Sequence, residues 1–377
     1  MNSAKQITES VGLQSVEKKF KRFKMNQLIC KKYFDKKLHV LLCALFTIHY
    51  SLFTIHSQAQ DLHFSQFMNN PLLTNPANTG FNPDYNYRIG ASYRDQWTSL
   101  PVPYKTFSVW GDAQIFKNRF ENGWMGLGGV LLNDVAGAGD LTSTKGYASI
   151  AYHQEVGYKS LISGGFNVGF VSKSIDLSKL TFANQWTGEF FESSYPTGEN
   201  FAYSRIAYMD LQAGLNYAYF ASDNLYLNAG VSLMHLNSPK ESFFSDSANN
   251  NTVPPRFTMF GNASIKVDPN WIINPNAYVS IQNKASEVML GLNAQYNLSG
   301  DGDKQLIGGV YYRFGDAAVA MIGIEIHKVR FTFTYDATTS MLSNYNSGNG
   351  ATEFSAIKFG NYGNAELNQT RCPSFVQ

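Results

Sequence analysis

The chain has 377 residues and a net charge of +2; 44% of the residues are hydrophobic, 15% aromatic and only 15% charged. Soluble proteins average about 25% charged residues, so much of this surface must face something other than water, and lipid is the natural candidate. The net charge is small and the basic residues are concentrated near the start of the chain, so the composition gives no support for a nucleic-acid partner.

The first predicted element is an export signal. A basic stretch precedes an apolar run from Leu38 to Ile55, and Ser57-Gln-Ala59 then offers a small-x-small cleavage site. We therefore predict a signal peptide over residues 1–59, cleaved after Ala59, with Met25 as an alternative start that leaves an n-region of ordinary length. An uncleaved membrane anchor is the competing interpretation, because about 18 apolar residues approach spanning length.

Cysteine usage excludes a disulfide framework in the exported protein. Of the three cysteines, Cys30 and Cys43 fall in the predicted signal peptide and only Cys372 remains, in a C-terminal tail over residues 361–377. One cysteine can form neither an internal disulfide nor a cysteine metal site.

Beyond Gln60, membrane residence requires strands, because no apolar run is long enough for a transmembrane helix. The segment from Leu225 to Leu233 alternates strictly, with leucine, alanine and valine on one face and asparagine, glycine and serine on the other. The segments 211–219, 288–296 and 329–336 repeat this pattern. Alternation of this kind is typical of strands between lipid and a polar lumen.

Counting such segments predicts an all-β, antiparallel outer-membrane barrel of about 14 strands over residues 87–360. The segments are 87–97, 104–116, 123–134, 141–155, 158–175, 203–220, 225–236, 255–266, 271–283, 286–298, 304–314, 317–327, 329–336 and 353–359. A soluble β-sandwich array is the rival. Aromatic residues near strand ends favour the barrel, since aromatic girdles mark the membrane interfaces: Tyr87, Trp97, Tyr104, Trp124, Tyr219, Trp271 and Phe314.

The remaining segments are assigned by length and composition. Residues 60–86 precede the first strand and are predicted to form a periplasmic or plug segment. Two long loops, 176–202 and 237–254, are expected to face outwards and to be available to a partner. Gly300-Asp-Gly302 and Gly315-Asp316 are interpreted as tight turns at the opposite, periplasmic end.

Catalytic and metal chemistry find little support in the sequence. His63, His153, His235 and His327 are scattered over four segments without a sequence-local partner, so we expect no enzymatic activity. Histidines and carboxylates do not cluster at ligand spacing, so we expect no metal and no cofactor. Gly126, Gly128 and Gly129 lack the Lys-Ser/Thr of a phosphate loop and are interpreted as strand glycines where side chains crowd the lumen.

Several ordered motifs resemble the PorP/SprF family of type IX secretion and gliding systems in Bacteroidota. The motifs are Gln60-Asp-Leu-His-Phe-Ser-Gln-Phe67, Asn70-Pro-Leu-Leu-Thr-Asn-Pro-Ala77, Tyr93-Arg-Asp-Gln-Trp97, Pro103-Tyr-Lys-Thr106, Gly230-Val-Ser-Leu-Met-His-Leu-Asn237 and Cys372-Pro373. Single motifs are weak, but their order and spacing extend over nearly the whole exported chain. Arg313, Asp316, Asp336 and Glu353 also match family positions, and we select them as lumen charges or partner contacts.

The resemblance implies a 14-stranded outer-membrane barrel that receives a secreted or adhesin-like protein, typically through its C-terminal sorting domain, and retains it at the cell surface. Other members of the family dock periplasmic parts of the machinery. This hypothesis predicts a plugged or protein-occupied lumen, with residues 61–80 as the candidate plug. The alternative is a passive outer-membrane pore or a hydrophobic-solute transporter, which the strand pattern alone equally permits.

Overall fold

A computed structural model describes residues 63–244 and 251–362 of the protein. The predicted signal peptide, the first residues of the candidate plug and residues 363–377 of the C-terminal tail, which include Cys372, lie outside the described residues.

Fourteen antiparallel strands of the described chain form a closed barrel, in which β1 pairs with both β2 and β14. The all-β barrel predicted from the sequence is thus confirmed, and closure removes the free edges through which an open sheet would aggregate. The strands are β1 Tyr87–Gln96, β2 Tyr104–Phe120, β3 Gly123–Ala136, β4 Leu141–Glu155, β5 Ser160–Ser174, β6 Arg205–Ser222, β7 Leu225–Met234, β8 Arg256–Asp268, β9 Trp271–Gln282, β10 Ala285–Asn297, β11 Lys304–Arg313, β12 Ala317–Ile326, β13 Val329–Thr338 and β14 Asn349–Gly360.

The alternation predicted for the strands is present in the barrel wall. On β7, Leu227, Val231 and Leu233 are exposed on the outer face, whereas Tyr226 and Ser232 are buried on the inner face. The same division recurs on β13. An apolar exterior and a polar interior are what a barrel in a bilayer requires.

Most strand ends lie within two residues of the predicted ends, and two differ by four residues because backbone pairing, not hydrophobicity, decides where a strand stops. The last strand starts at Asn349, where residues 349–352 show no apolar alternation but still pair with β13 and β1. The second strand extends to Phe120, past an irregularity at Phe116, whose φ is 57°.

Because strands alternate in direction, their connections fall at two ends of the barrel. The end that carries the long connections 175–204 and 235–255 is here called the loop end; the other, which carries 121–122, 156–159, 223–224, 269–270, 298–303 and 327–328, is the turn end. Residues 314–316 connect β11 to β12 at the loop end. The placement of Gly315-Asp316 opposite the long loops was therefore wrong, because a short turn can occur at either end.

Exposed aromatic side chains lie near both ends of the barrel, among them Tyr93 and Tyr104 at the loop end and Phe120 and Trp271 at the turn end. Trp124 was wrongly assigned to a girdle. It shares the inner face of β3 with Val130 and Leu132, is 9% exposed, and stacks on the ring of His153 with 5.0 Å between centroids. Strand parity, which composition does not reveal, places this indole in the lumen.

Candidate functional site

Residues 63–86, here called the luminal segment, lie inside the barrel. The segment contains three short helical turns, Phe67–Asn69, Pro71–Thr74 and Pro76–Asn78. Proline opens the second and third turns, where its fixed φ suits a helix start and its missing N–H costs nothing. No helical turn in the described part of the chain has the length or the apolar character needed to cross a membrane.

The luminal segment passes through the barrel from one end to the other. Near the loop end, the backbone N–H groups of Ser65 and Gln66 donate to the carboxylate of Glu353, at 2.9 and 3.1 Å. Near the turn end, the N–H of Asn86 donates to the carbonyl of Gly360 at 2.9 Å. The segment thus descends from the loop end and enters β1 at the turn end.

Hydrogen bonds join the luminal segment to strands on opposite sides of the barrel. They include Asn69 Nδ2 to Thr332 Oγ1 at 2.9 Å, Asn75 Nδ2 to the Leu215 carbonyl at 2.9 Å, His153 Nε2 to the Thr79 carbonyl at 2.8 Å, and Gly80 N to Asp112 Oδ2 at 2.7 Å. Buried amide and hydroxyl groups without partners would cost free energy, so this network fixes one position of the segment.

Glycines let the luminal segment approach the wall closely. A Cβ at Gly126 would lie 1.9 Å from the carbonyl oxygen of Thr79, and one at Gly165 would lie 2.4 Å from the backbone nitrogen of Ala77. No side chain fits at such distances. Glycine at these positions of β3 and β5 is therefore a steric requirement, which agrees with the crowded lumen predicted from the sequence.

Apolar packing fills the space on the far side of the luminal segment. Phe67 packs among buried side chains from β8 to β12, and its ring lies 5.0 Å from that of Tyr278 between centroids. The other members of this cluster are Phe260, Met289, Ile307, Tyr311, Val319 and Met321. These side chains form a packed core, of which Ile307, Tyr311 and Met321 also line a small cavity beside the luminal segment.

A buried charge cluster holds the start of the luminal segment at the loop end. It consists of Arg94, Arg313, Asp336 and Glu353, all at most 3% exposed, with Ser65 at its centre. The hydroxyl of Ser65 donates to Asp336 Oδ2 at 2.6 Å and accepts from Arg94 Nη1 at 2.7 Å and from Arg313 Nη2 at 2.5 Å.

The two arginines and two carboxylates of the charge cluster are also paired directly. Arg94 Nη1 lies 3.2 Å from Glu353 Oε2, and its Nη2 lies 3.1 Å from Asp336 Oδ2, while Arg313 Nη2 lies 3.1 Å from the same Asp336 oxygen. Each of these four charges therefore has an opposite charge within 3.2 Å, and Glu287, which is 7% exposed, adds a further carboxylate 3.4 Å from Arg313 Nε.

The structure brings together three of the four charges selected from the sequence. Arg313, Asp336 and Glu353 form the charge cluster, and Asp316 lies at its rim, with Oδ2 2.7 Å from Arg313 Nη1 and a side chain that is 36% exposed. Sequence reasoning missed Arg94 and Ser65. Both lie in family motifs, but nothing local indicates that positions so far apart meet Glu353.

Each histidine selected from the sequence has its own set of contacts, and His63 Nδ1 lies 3.6 Å from Glu287 Oε2. His153 is buried, donates through Nε2 to a carbonyl and accepts through Nδ1 from Ser163 Oγ at 2.7 Å. His235 is buried against Asp210 Oδ1 at 2.8 Å, and His327 lies in an exposed turn 3.2 Å from Asp303. Residues 63–244 and 251–362 contain no group of three side chains able to hold a metal ion.

We expect the stability of the barrel to depend on pH because of Asp84, which lies at the turn end of the luminal segment. Burial raises its pKa to about 7, and the negative charge of Glu325 adds to the rise. Because the folded state binds this proton more tightly than the unfolded chain, stability should fall as the pH rises from about 4 to about 7. Asp84→Asn should remove this fall and raise the free energy of unfolding at pH 8 by about 1–3 kcal/mol.

The measurement is urea-induced unfolding in detergent micelles at several pH values. Asp223→Asn, in the exposed turn 223–224 at the same end, is the matched control and should leave the pH profile unchanged. Identical profiles for wild type and Asp84→Asn would contradict the assignment.

The closed, lipid-facing wall and the segment packed in its lumen define a plugged outer-membrane β-barrel. The chain belongs to the type IX secretion system membrane protein PorP/SprF family, whose model matches residues 56–355. The protein is therefore an outer-membrane component of that secretion system. In such barrels the long loops face outwards, so the loop end is at the cell surface and the turn end is in the periplasm.

Several solved barrels are similar to this chain. They include the CymD monoaromatic hydrocarbon channel (10% identity, 78% of this chain and 93% of that chain covered, TM-score 0.45), the P. putida toluene transporter TodX (12%, 78% and 95%, TM-score 0.44) and a Pseudomonas aeruginosa FadL homologue (9%, 77% and 94%, TM-score 0.44). Similarity this distant carries no argument about function. Comparison with curated proteins gives no match.

Proposed function

We propose that this barrel retains a secreted or adhesin-like protein at the cell surface by binding its C-terminal sorting domain. The observation that supports a holding role is the luminal segment, which is bonded to opposite sides of the wall and leaves the outer loops as the exposed surface for a partner. A barrel packed in this way is suited to be a rigid anchor. Periplasmic components of the secretion machinery would be further partners at the turn end.

We also propose that the barrel has no catalytic activity. A rim enzyme needs a nucleophile and a base that substrate can reach. In the described chain, the contact between His153 and Ser163 is buried beneath the luminal segment, where both side chains are at most 1% exposed. This burial supports a non-enzymatic role.

A passive pore or a hydrophobic-solute transporter is the second candidate. Beside the luminal segment lies a cavity of about 180 Å³, lined by the amides of Asn262, Asn274, Asn276 and Asn293 among others. A site for apolar solutes would be lined mainly by apolar side chains. Met68, Ile307, Tyr311 and Met321 also line the cavity, so its lining is mixed, but its volume is below the roughly 300 Å³ at which ligand pockets begin. The cavity therefore gives no specific support to hydrophobic-solute transport.

The test is to tag the protein in its native host, solubilise the outer membrane gently and identify by mass spectrometry what co-purifies. We expect a large surface protein with a C-terminal sorting domain, enriched over the background of a similarly tagged, unrelated outer-membrane barrel. Recovery of the folded barrel alone would contradict the holding role. Steady ion current through that barrel in a planar bilayer would then establish the pore.

A further inference from the structure

Exposed aromatic side chains are concentrated in residues 175–204, the longest outer loop, here called the aromatic loop. Five large rings stand at least two-fifths exposed: Trp186 55%, Phe190 56%, Phe191 41%, Tyr195 50% and Tyr203 58%. The aromatic loop connects β5 to β6 at the loop end, away from the lipid-facing wall, so the bilayer does not explain these exposures. Large exposed apolar side chains grouped in one loop are typical of an interaction site.

The tip of the aromatic loop is ordered by its own hydrogen bonds. Trp186 and Phe191 face each other in an antiparallel bridge, and the N–H of Thr187 donates to the carbonyl of Phe190 at 3.0 Å. The side chain of Gln185 donates to the carbonyls of Ser193 and Tyr195 at 3.3 and 3.2 Å. The rings are therefore displayed on a preformed hairpin.

The base of the aromatic loop is fixed to the neighbouring outer loop. Phe201 stacks on Phe244 with 4.8 Å between ring centroids, and the N–H of Ala202 donates to the carbonyl of Phe243 at 3.0 Å. Lys173 Nζ pairs with Glu241 Oε1 at 2.6 Å. Rigid aromatic side chains lose little conformational entropy on binding, so a surface preorganised in this way is suited to high affinity.

The aromatic loop has a net charge of −3, from Asp176, Glu189, Glu192 and Glu199 against Lys179. Residues 180–204 contain Glu189, Glu192 and Glu199 but no lysine, arginine or histidine. An anionic lipid surface would be repelled by these carboxylates, whereas a cationic protein surface would be attracted. The negative charge of the aromatic loop therefore favours a cationic protein as the partner.

We propose that the aromatic loop is the docking surface for a positively charged face of the sorting domain of the retained protein. This inference rests on the proposed function and adds where the partner binds and what chemistry recognises it. Trp186, Phe190 and Phe191 are the apolar anchors, and the glutamates set the orientation and speed of encounter.

The test measures binding of the sorting domain of whichever protein co-purifies with the wild-type barrel, produced separately, to the full-length barrel in detergent. The triple variant Trp186→Ala, Phe190→Ala and Phe191→Ala should weaken binding at least about tenfold. Tyr345→Ala, an aromatic residue 78% exposed in the outer connection 339–348, is the matched control and should bind as the wild type does.

The charge is tested separately, with the double variant Glu189→Gln and Glu199→Gln. It should weaken binding by about threefold and flatten the dependence on salt, since exposed interfacial charges act mainly on association. Heat-modifiable migration on gels confirms that each variant barrel is folded.

The outcomes separate this inference from the proposed function. Undiminished binding by the triple variant would overturn the aromatic loop as the docking surface and leave the holding role intact, whereas a wild-type barrel without a partner would remove the holding role itself. Loss of self-association in the triple variant, with sorting-domain binding unchanged, would identify a second copy of this chain as the occupant and overturn the inference. Preferential binding of the wild-type barrel to anionic vesicles over the sorting domain would also overturn the inference.

Discussion

Replacing Arg94 by methionine is expected to lower the free energy of unfolding of the barrel by about 3–5 kcal/mol. The guanidinium is 2% exposed and contacts Asp336, Glu353 and the hydroxyl of Ser65. Methionine preserves much of the volume but leaves Glu353 buried without its arginine, and an uncompensated buried carboxylate is strongly destabilising. Reversible urea unfolding from lipid vesicles, followed by tryptophan fluorescence, measures the change.

Lys179→Met is the matched control for Arg94→Met. Lys179 also pairs with a carboxylate, that of Asp140, but both side chains are about half exposed, so its loss should leave the free energy of unfolding nearly unchanged. Adding Glu353→Gln to Arg94→Met should restore part of the loss, because the unpaired charge is then removed. Equal effects of Arg94→Met and Lys179→Met would mean that the charge cluster does not hold the luminal segment.

The double variant Gly126→Val and Gly165→Val is expected to open the barrel to ions. Branched side chains at these positions would overlap the backbone at Thr79 and Ala77, so the luminal segment must leave its path along β3 and β5. Each substitution should cost about 1–3 kcal/mol in packing strain, mostly within the segment, while the paired wall remains closed. In planar bilayers the wild type should give background current and the double variant a steady open-channel current.

Gly308→Val is the matched control for the glycine variants. A Cβ at Gly308, on β11, meets no other atom within 4 Å, so valine is accommodated there without strain. This control should remain as closed as the wild type. A folded double variant that conducts no more than Gly308→Val would show that closure of the lumen does not depend on the fit between the segment and these strands.

Local pattern alone was sufficient to predict the barrel wall. Lipid outside and polar groups inside force a period of two on every strand, and Leu227, Val231 and Leu233 carry that period in adjacent positions of one segment. The errors occurred at residues whose environment the alternation pattern does not determine. Trp124 has the composition of a girdle residue, and only the parity of β3 places it in the lumen.

The contacts inside the lumen are determined by the tertiary structure. Arg313, Asp336 and Glu353 could be selected from the sequence, but Arg94 and Ser65, which complete the charge cluster, could not. The bond between the N–H of Ser65 and Glu353 joins residues 288 positions apart. Hydrophobic periodicity reports the environment of each residue and its neighbours, whereas contacts at this separation exist only once all the strands have closed around the luminal segment.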